Sequence, residues 1–260
     1  MTSLARQVAT SLSALVSKAA SAVPVATAAT VAAAAAAALS ALAAAAPLAW
    51  AAPRPPVRPE ARPLAYVVLP KPQMTGGKPL YEALAARRSS REFGPKALTP
   101  QELSTLLWAA QGVNRPATGH RTSPSARFWK EIDIYVFTRD GVYRYEPDGH
   151  RLLRVMTGDR RAATGTQPFV AQAAVALVYV ADLSRMTGVD PANQALYTGA
   201  DAAFAAQNVY LHCASAGLAC VVRGAVDRAA LGKLLGLKPS QRVILAHSIG
   251  HPKGRGAPGR

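Results

Sequence analysis

Three arginines and two serines lie within five consecutive residues of this chain, Arg87-Arg88-Ser89-Ser90-Arg91. A guanidinium group presents forked N–H donors that suit phosphate oxygens or the polar edge of a planar ring, and a serine hydroxyl adds a rotatable donor with a short reach. The segment follows residues 79–86, for which the sequence predicts a short helix. These residues alone permit two interpretations: an anion-binding site, or a solvated basic helix end whose cations complement the helix dipole.

The chain as a whole is strongly basic. Its 260 residues include 30 Lys and Arg against 14 Asp and Glu, which gives a formal net charge of +16. Such a balance is compatible with a nucleic acid, an acidic membrane surface or a phosphorylated ligand as partner. The basic residues are dispersed, and the sequence has no basic stripe interleaved with aromatic residues, so nucleic-acid binding is disfavoured.

Metal and thiol chemistry find little support in the sequence. Cys213 and Cys220 fall at the end of a predicted helix and in the apolar strand after it, so two buried thiols are favoured over a disulfide. His247 and His251 are four residues apart, but they flank the end of a predicted strand and do not share a helix face. A zinc site is therefore not expected.

The first fifth of the chain has the pattern of an export signal. Residues 1–51 contain two basic residues and no acidic one, and residues 19–52 are uncharged and dominated by alanine. Ala49 and Ala51 are the small residues that a signal peptidase requires, so we expect cleavage after Ala51 and export to the periplasm. The uncharged stretch is also long enough for an uncleaved membrane anchor. Cleavage is favoured because alanine is only weakly apolar.

Two further regions follow this leader. Residues 52–77 are rich in Pro and Arg and are predicted to form an extended arm, because a high density of proline prevents regular packing. Within the arm, residues 64–69 form a short apolar run. The folded domain is predicted to span residues 78–260, and its sequence contains no internal repeat, phosphate-loop motif or dinucleotide-binding glycine pattern.

Local signals predict the elements of this domain. Thr99, Pro100 and Glu102 form a helix start with a capping box, and Gly112 ends that helix. Two apolar segments joined by an Asp-Gly turn predict a β-hairpin, and mixed helices and strands without a βαβ repeat indicate an α+β sandwich. The predicted elements after the first two helices are hairpin strands at 132–137 and 142–145, a polar helical segment at 152–166, a central strand at 175–181, a helix at 201–216, a strand at 218–222, a helix at 228–235 and a strand at 243–249.

Five motifs in chain order give the sequence a resemblance to the FMN-dependent nitroreductase family. One of them has the Arg-Thr-x-Pro-Ser-Ala pattern that is common in the thiazole/oxazole dehydrogenase-like branch of that family. Together the motifs cover about residues 78–255. They are Arg87-Arg88-Ser89-Ser90-Arg91; Leu106-Leu107-Trp108-Ala109-Ala110-Gln111-Gly112-Val113-Asn114-Arg115; Arg121-Thr122-Ser123-Pro124-Ser125-Ala126; Gln207-Asn208-Val209-Tyr210-Leu211 with Gly217-Leu218; and Ile249-Gly250-His251-Pro252.

The resemblance implies an α+β, nitroreductase-like α-β-α sandwich with an antiparallel-rich central sheet. It also implies a homodimer formed through the long central helix, with two FMN molecules at the interface that both subunits contact. The implied activity is ping-pong hydride transfer through flavin N5, with NAD(P)H as the usual donor and a nitro compound, a quinone or a similar small molecule as acceptor. No nucleic-acid partner is expected, and no stable membrane partner unless the leader stays uncleaved.

The resemblance also assigns the basic segment to the cofactor. Arg87, Ser89 and Arg91 match family positions that hold the FMN phosphate, the ribityl chain and the pyrimidine edge of the flavin. Arg88 matches a position that is less tied to the flavin, for which a structural role is expected.

Other cofactor contacts fall outside that segment. Pro124 and Ser125 match the loop that the partner subunit lends to the flavin, and Gln167 lies near a family position on the pyrimidine side. Lys253 and Arg255 match the basic residues that close on the phosphate.

Three residues form the predicted catalytic set, Arg91, Arg223 and Gly224. Arg223 and Gly224 align with a turn whose glycine N–H points at flavin N5, and a cation near the pyrimidine end stabilises the anionic reduced flavin. No side-chain acid or base is required.

Some residues depart from the family pattern and leave the substrate open. Phe128 and Trp129 add bulk where many members carry Asn, and Arg223 stands where some members have an acid. Export would separate the enzyme from the NAD(P)H pool, so the electron donor is open as well. Two alternatives remain within the flavin hypothesis: a dehydrogenase of thiazoline- or oxazoline-type peptide rings, and a non-enzymatic flavin-binding protein. A third is a basic surface-binding protein that uses arginines of the arm.

Overall fold

The computed structural model describes residues 65–254, which form a seven-stranded sheet and a small two-stranded pair. The strands are β1 Tyr66–Val68, β2 Val113–Arg115, β3 His120–Arg121, β4 Ile132–Phe137, β5 Gly141–Glu146, β6 Arg151–Thr157, β7 Val175–Asp182, β8 Ala219–Arg223 and β9 Gln241–Gly250. The order across the large sheet is β1-β6-β5-β4-β7-β9-β8, and every neighbouring pair is antiparallel. The edge strands are thus β1 and β8.

Helices cover both faces of the sheet. The α-helices are α1 Leu80–Ala86, α2 Pro100–Gln111, α3 Pro191–Ala216 and α4 Arg228–Leu235. Helices α2 and α3 pack on one face, with α1 against α3, and α4 packs on the other. This arrangement is the α-β-α sandwich that the sequence predicted.

Strand β7 lies near the middle of the sheet and is buried on both faces. Leu177 and Tyr179 belong to the core under α2 and α3. Val178 and Val180 belong to the core under α4. Because side chains alternate along a strand, a nearly continuous apolar run is what a strand with two covered faces requires. The prediction of a central strand here is confirmed.

Helix α3 approaches the sheet closely because its inner face carries small side chains. Ala202, Ala205 and Ala206 are each at most 3% exposed. Cys213 and Cys220 are buried free thiols in the same core, as predicted.

Local capping signals correctly located the start of α2. The Thr99 hydroxyl accepts from the Glu102 N–H at 3.2 Å, and the Glu102 carboxylate accepts from the Thr99 N–H at 2.7 Å. This reciprocal pair is the predicted capping box. The predicted hairpin is also present, as β4 and β5.

Helix α3 is longer than the sequence predicted, since it starts at Pro191 and not at Asp201. Asp190 caps it by accepting from the N–H groups of Ala192 and Asn193. The first turns leave Leu196 63% exposed. Without a buried face, this part of the helix shows little apolar periodicity in the sequence.

The segment 152–166 is not a helix, which corrects the sequence prediction. Residues Arg151–Thr157 form β6, which pairs with β5 on one side and β1 on the other. The turn Pro147–Gly149 and a left-handed His150 bring the chain back beside β5. Pairing with strands on both sides, which local polarity does not show, decides the structure of this segment.

The sheet also begins earlier than predicted. Tyr66–Val68, in the predicted arm, pairs with β6 as an edge strand, and Leu69 is buried in the core. The Ser104 hydroxyl on α2 donates to the Pro70 carbonyl at 2.6 Å and so ties the arm to the domain. The sheet therefore includes residues before the predicted domain start at 78.

Within residues 65–254, no helix has both the length and the apolar character needed to cross a membrane. The predicted signal or anchor at 1–51 lies outside the described residues. The first part of the arm and Arg255 lie outside them as well.

Candidate functional site

The basic segment 87–91 runs along the free edge of the sheet, beside β8. The Ser90 N–H donates to the Cys220 carbonyl at 2.8 Å. This bond uses a backbone acceptor that an edge strand would otherwise leave open. The sheet edge therefore fixes the backbone of the segment.

Tyr210 of α3 provides a second attachment. Its hydroxyl accepts from the Val222 N–H of β8 at 2.9 Å and is 2.8 Å from the Ser89 hydroxyl. The Arg87 guanidinium lies over the Tyr210 ring, 5.4 Å from its centroid, which is a cation–π distance. One tyrosine thus joins α3, the edge strand and the basic segment.

The edge of β8 also presents the backbone of Gly224. Backbone groups alternate between the two sides of a strand, and those of Cys220 and Val222 point away from β9, as their bonds to Ser90 and Tyr210 show. Gly224 directly follows the last residue of β8 and is exposed. No described atom lies within 4 Å of the position that a Cβ of Gly224 would occupy. The backbone at Gly224 is therefore open to a ligand.

Two neighbouring clefts surround the basic segment, with volumes of about 380 and 710 Å³. Arg88 and Ser90 line both, Arg87 lines the smaller, and Ser89 and Lys253 line the larger. Sequence reasoning set Arg88 apart from the ligand, but the structure places it in the wall of both clefts. Arg91 is exposed at the end of the segment.

The end of the described chain completes the larger cleft. The Gly94 N–H donates to the His251 carbonyl at 2.8 Å, and the Lys253 N–H donates to the Glu92 carbonyl at 3.2 Å. Lys253 is exposed and lies next to the segment. The other predicted phosphate ligand, Arg255, lies beyond the described residues.

The Arg223 side chain turns into the protein, away from the clefts. It is 4% exposed and donates to the carbonyl and the hydroxyl of Thr164, at 2.7 and 3.2 Å. Burial lowers the pKa of Arg223 to about 10, so the guanidinium stays charged at neutral pH. These contacts give the side chain a structural role, which differs from the catalytic role expected from the sequence.

Arg223 and Phe93 attach the segment 161–173 to the face of β8 opposite α3. Phe93 packs with Phe169, Ala173 and Val221. Gln167 lies in this segment, and its Oε1 is buried without a hydrogen-bond partner among the described residues. A buried acceptor of this kind is suited to a ligand N–H.

The loop with Pro124 and Ser125 is held elsewhere on α3. The Ser125 hydroxyl donates to Glu131 Oε2 at 3.1 Å and accepts from the Lys130 N–H at 2.8 Å. The Ala126 N–H donates to Asp201 Oδ2 at 2.9 Å. Pro124 itself is exposed.

Asp201 and Tyr210 are nine positions apart on α3, which corresponds to about 13 Å along the helix axis. The Ser125 loop is fixed at the first and the basic segment at the second. Within one chain, the loop with Pro124 and Ser125 and the basic segment 87–91 are therefore too far apart to contact the same part of a ligand. A second chain could bring them together, as the resemblance implies.

The next residues of this loop are strained and aromatic. Arg127, Phe128 and Lys130 have positive φ values of 47°, 59° and 51°, which is unfavourable for residues with a side chain. Phe128 is 44% exposed and stacks on His120 with ring centroids 4.5 Å apart. The large Phe128 side chain that departs from the family pattern therefore lies at the surface of the described chain.

His247, one of the two histidines considered in the sequence analysis, lies in the core and not in the clefts. Burial, together with the Arg223 charge, lowers the pKa of His247 to about 3, so this side chain is a neutral core residue. In residues 65–254, no three His, Cys, Asp or Glu side chains are grouped as metal ligands.

Sequence reasoning missed Tyr210 and the Glu131–Asp201 pair. Tyr210 occurs in one of the five motifs, but no role of its own was predicted for it. The Tyr210 hydroxyl could have indicated a contact, because a half-buried tyrosine hydroxyl usually has a hydrogen-bond partner.

Replacing Tyr210 with phenylalanine should loosen the basic segment without unfolding the protein. The Val222 N–H and the Ser89 hydroxyl would both lose a partner, which costs about 1–2 kcal/mol. We expect a lower melting temperature and faster amide exchange in residues 87–91. Exchange equal to that of the wild type would show that the tyrosine does not hold the segment.

Comparisons with known proteins agree with this geometry. The sequence profile of the nitroreductase family matches residues 84–251. A Methanocaldococcus jannaschii protein provisionally named a nitroreductase is 36% identical over 176 residues, which cover 64% of this chain and 88% of that protein. A crystal structure from Ralstonia eutropha with a similar provisional name is 42% identical, has a TM-score of 0.70 and covers 73% of this chain and 90% of that one.

A third comparison concerns the fold alone. A structure of the E. coli microcin synthetase complex McbBCD matches with a TM-score of 0.57 at 18% identity, and the match covers 72% of this chain and 79% of that one.

Proposed function

This chain belongs to the nitroreductase family, a family of flavin-dependent oxidoreductases, and from that premise we propose that it uses FMN to transfer hydride between small molecules by a ping-pong mechanism. When bound, FMN supplies a ring that accepts hydride in one half-reaction and releases it in the next. The protein's task is to bind that group, orient it and set its electrostatic surroundings.

The residues present fit FMN. A phosphate suits the basic clefts, where the side chains of Arg88 and Lys253 are exposed. The buried Gln167 Oε1 lacks a donor among the described residues, and a flavin pyrimidine edge carries an N–H. This unpartnered acceptor, in a segment attached to the edge strand β8 through Arg223, is the observation that carries the proposal.

We assign the roles accordingly. Arg87, Arg88, Ser89 and Lys253 would bind the phosphate and ribityl chain, and Arg91 would supply positive charge from the exposed end of the segment. The Gly224 N–H would hold the ring at its reacting edge.

In the proposed homodimer, the partner subunit would supply Pro124 and Ser125. The separation of the loop from the basic segment along α3 supports this assignment, because one chain leaves each half of the site incomplete.

The absorption spectrum of the purified protein tests the proposal. We expect the visible bands of a flavin, release of FMN on denaturation, and bleaching when NADH or NADPH is added without oxygen. Reoxidation by a quinone or a nitroaromatic compound would then complete the second half-reaction. A colourless protein that does not take up added FMN would contradict the proposal.

A second candidate is a dehydrogenase of thiazoline- or oxazoline-type peptide rings. The motif at 121–126 favours it, because this loop is common in that branch of the family. A flavoprotein that oxidises a thiazoline-containing peptide, and that NADH and NADPH do not reduce, would identify this activity. Export remains part of the proposal, and N-terminal sequencing of the mature protein would test cleavage after Ala51.

A further inference from the structure

We propose that Glu131 is a positioning residue: together with Asp201 it holds the Ser125 loop in its flavin-binding conformation while the two carboxyl groups share one proton. The inference rests on the proposed function, because it assigns the loop to the cofactor of a partner subunit. It concerns residues to which the family resemblance gives no role.

The two carboxyl groups are enclosed by the protein. Glu131 is 0% exposed and Asp201 is 4% exposed. They come from different elements, since Glu131 directly precedes β4 and Asp201 lies on α3. Burial and the nearby Asp201 charge both disfavour a charged Glu131, so the pair is stable with a single negative charge.

The pair is connected to the loop by direct hydrogen bonds. The Ser125 hydroxyl donates to Glu131 Oε2, and the Ala126 N–H donates to Asp201 Oδ2. The Lys130 N–H donates back to the Ser125 hydroxyl. Each carboxyl group therefore fixes one of two consecutive residues in the loop.

The loop needs this support because its backbone is strained. Three side-chain-bearing residues within four positions, Arg127, Phe128 and Lys130, have left-handed φ values. Such conformations persist only where surrounding contacts hold them. The carboxyl pair provides such contacts at the first residues of the loop.

Other charged groups near Glu131 are already paired. Arg185 binds the carboxylate of Asp133 through two nitrogens, at 3.1 and 2.9 Å, and donates to the Lys130 carbonyl. Asp182 contacts Glu131 only through its backbone N–H, and its carboxylate binds Ser184. Asp201 is the charged group that acts on the Glu131 carboxyl.

The proton makes the loop sensitive to pH. Burial, with a further contribution from the Asp201 charge, raises the pKa of Glu131 from 4.5 to about 7. A raised pKa means that the closed loop binds the proton more tightly than a loosened loop in which Glu131 is solvated. The closed loop therefore loses stability as pH rises from about 4.5 to about 7, and the loss is complete above that range.

FMN titrations of the apo-protein between pH 5.5 and pH 8 test the proposal. For the wild type we expect binding about tenfold weaker at pH 8 than at pH 5.5, with most of the change below pH 7.5. Glu131→Gln keeps an acceptor for Ser125 but cannot ionise, so its affinity should stay tight and change by less than about twofold over this range. The exposed Asp140→Asn is the matched control and should keep the wild-type pH dependence.

The Asp201→Asn variant and amide exchange test the proposal if Glu131→Gln does not fold or if FMN does not bind. Asp201→Asn removes the Asp201 charge but leaves Glu131 buried, so it should reduce the pH dependence without abolishing it, and it serves as the test if Glu131→Gln does not fold. If no FMN binds at any pH, the proposed function fails, and amide exchange in residues 123–131 of the apo-protein still tests the pair. The positioning role is overturned if Glu131→Gln retains the wild-type pH dependence in binding and in exchange, after correction for the intrinsic exchange rate.

Discussion

Replacing Arg87 with alanine should weaken FMN binding by about 50-fold, the largest effect that we expect from any single cation of the site. A charge-assisted hydrogen bond to phosphate contributes about 1.5–3 kcal/mol, which corresponds to roughly 10- to 150-fold in affinity. Arg87 is half-buried and already positioned over the Tyr210 ring, so little conformational entropy opposes its use. Fluorescence titration of the apo-protein with FMN measures the change.

Two further variants separate geometry from charge. Arg87→Lys keeps the charge but loses the forked donors, so its affinity should fall between those of the wild type and Arg87→Ala. Arg242→Ala removes an exposed cation from β9 and should bind FMN as the wild type does. Equal losses for Arg87→Ala and Arg242→Ala would mean that the site responds only to net charge.

The structure changes the expected ranking of the three arginines. From the sequence, Arg91 was the residue whose loss should matter and Arg88 the one that should matter little. In the structure both side chains are exposed, but Arg88 lines both clefts and Arg91 lines neither. We therefore expect Arg91→Ala to reduce affinity less than Arg87→Ala, and Arg88→Ala to have a measurable effect.

The features predicted correctly from the sequence depend on neighbouring residues. The capping box of α2 spans four residues, and the β4–β5 hairpin follows from one Asp-Gly turn between two apolar runs. The basic segment could be recognised for the same reason, because its density of donors is visible without any partner. The glycine that ends α3 in a left-handed conformation is another local signal.

The features that were missed depend on residues distant in the chain. Strand β6 is a strand because β5 and β1 pair with it, and β1 comes from an arm whose prolines suggested no regular structure. The contact between Ser89 and Tyr210 spans 121 positions, and the contact between Ala126 and Asp201 spans 75. The periodicity of a sequence does not show such contacts. The residues that hold a site in place are therefore harder to predict than the residues that bind the ligand.

The direction of the Arg223 side chain also depends on residues distant in the chain. Its place in a motif next to Gly224 suggested a cation that faces the cofactor, whereas its guanidinium binds Thr164 inside the protein. Among the described residues its hydrogen bonds go to neutral oxygens, and Thr164 in turn donates to the Arg161 carbonyl. A buried cation without a carboxylate is stable only if its geometry is maintained, so the residues that shape this cavity should be intolerant of substitution.

Gly165→Ala should therefore destabilise the protein by about 3 kcal/mol, or roughly 10 °C in melting temperature. A Cβ at this position would overlap Arg223 Nη1 and would lie 3.1 Å from Val170 Cγ2. The backbone at Gly165 is extended, with φ at 177°, so the cost is steric and not conformational. The methyl group would displace the guanidinium from Thr164 and with it the segment that carries Gln167.

Two comparisons show whether this mechanism is correct. Gly199→Ala changes an α3 glycine with no described atom within 4 Å of the new Cβ, and it should stabilise the protein by up to about 1 kcal/mol, because alanine favours helix. In the double variant Gly165→Ala with Arg223→Met, the flexible apolar side chain can avoid the methyl group. Its stability should exceed the sum of the two single effects by about 1–2 kcal/mol. Strict additivity in thermal or chemical unfolding would show that Gly165 is required for a reason other than the buried arginine.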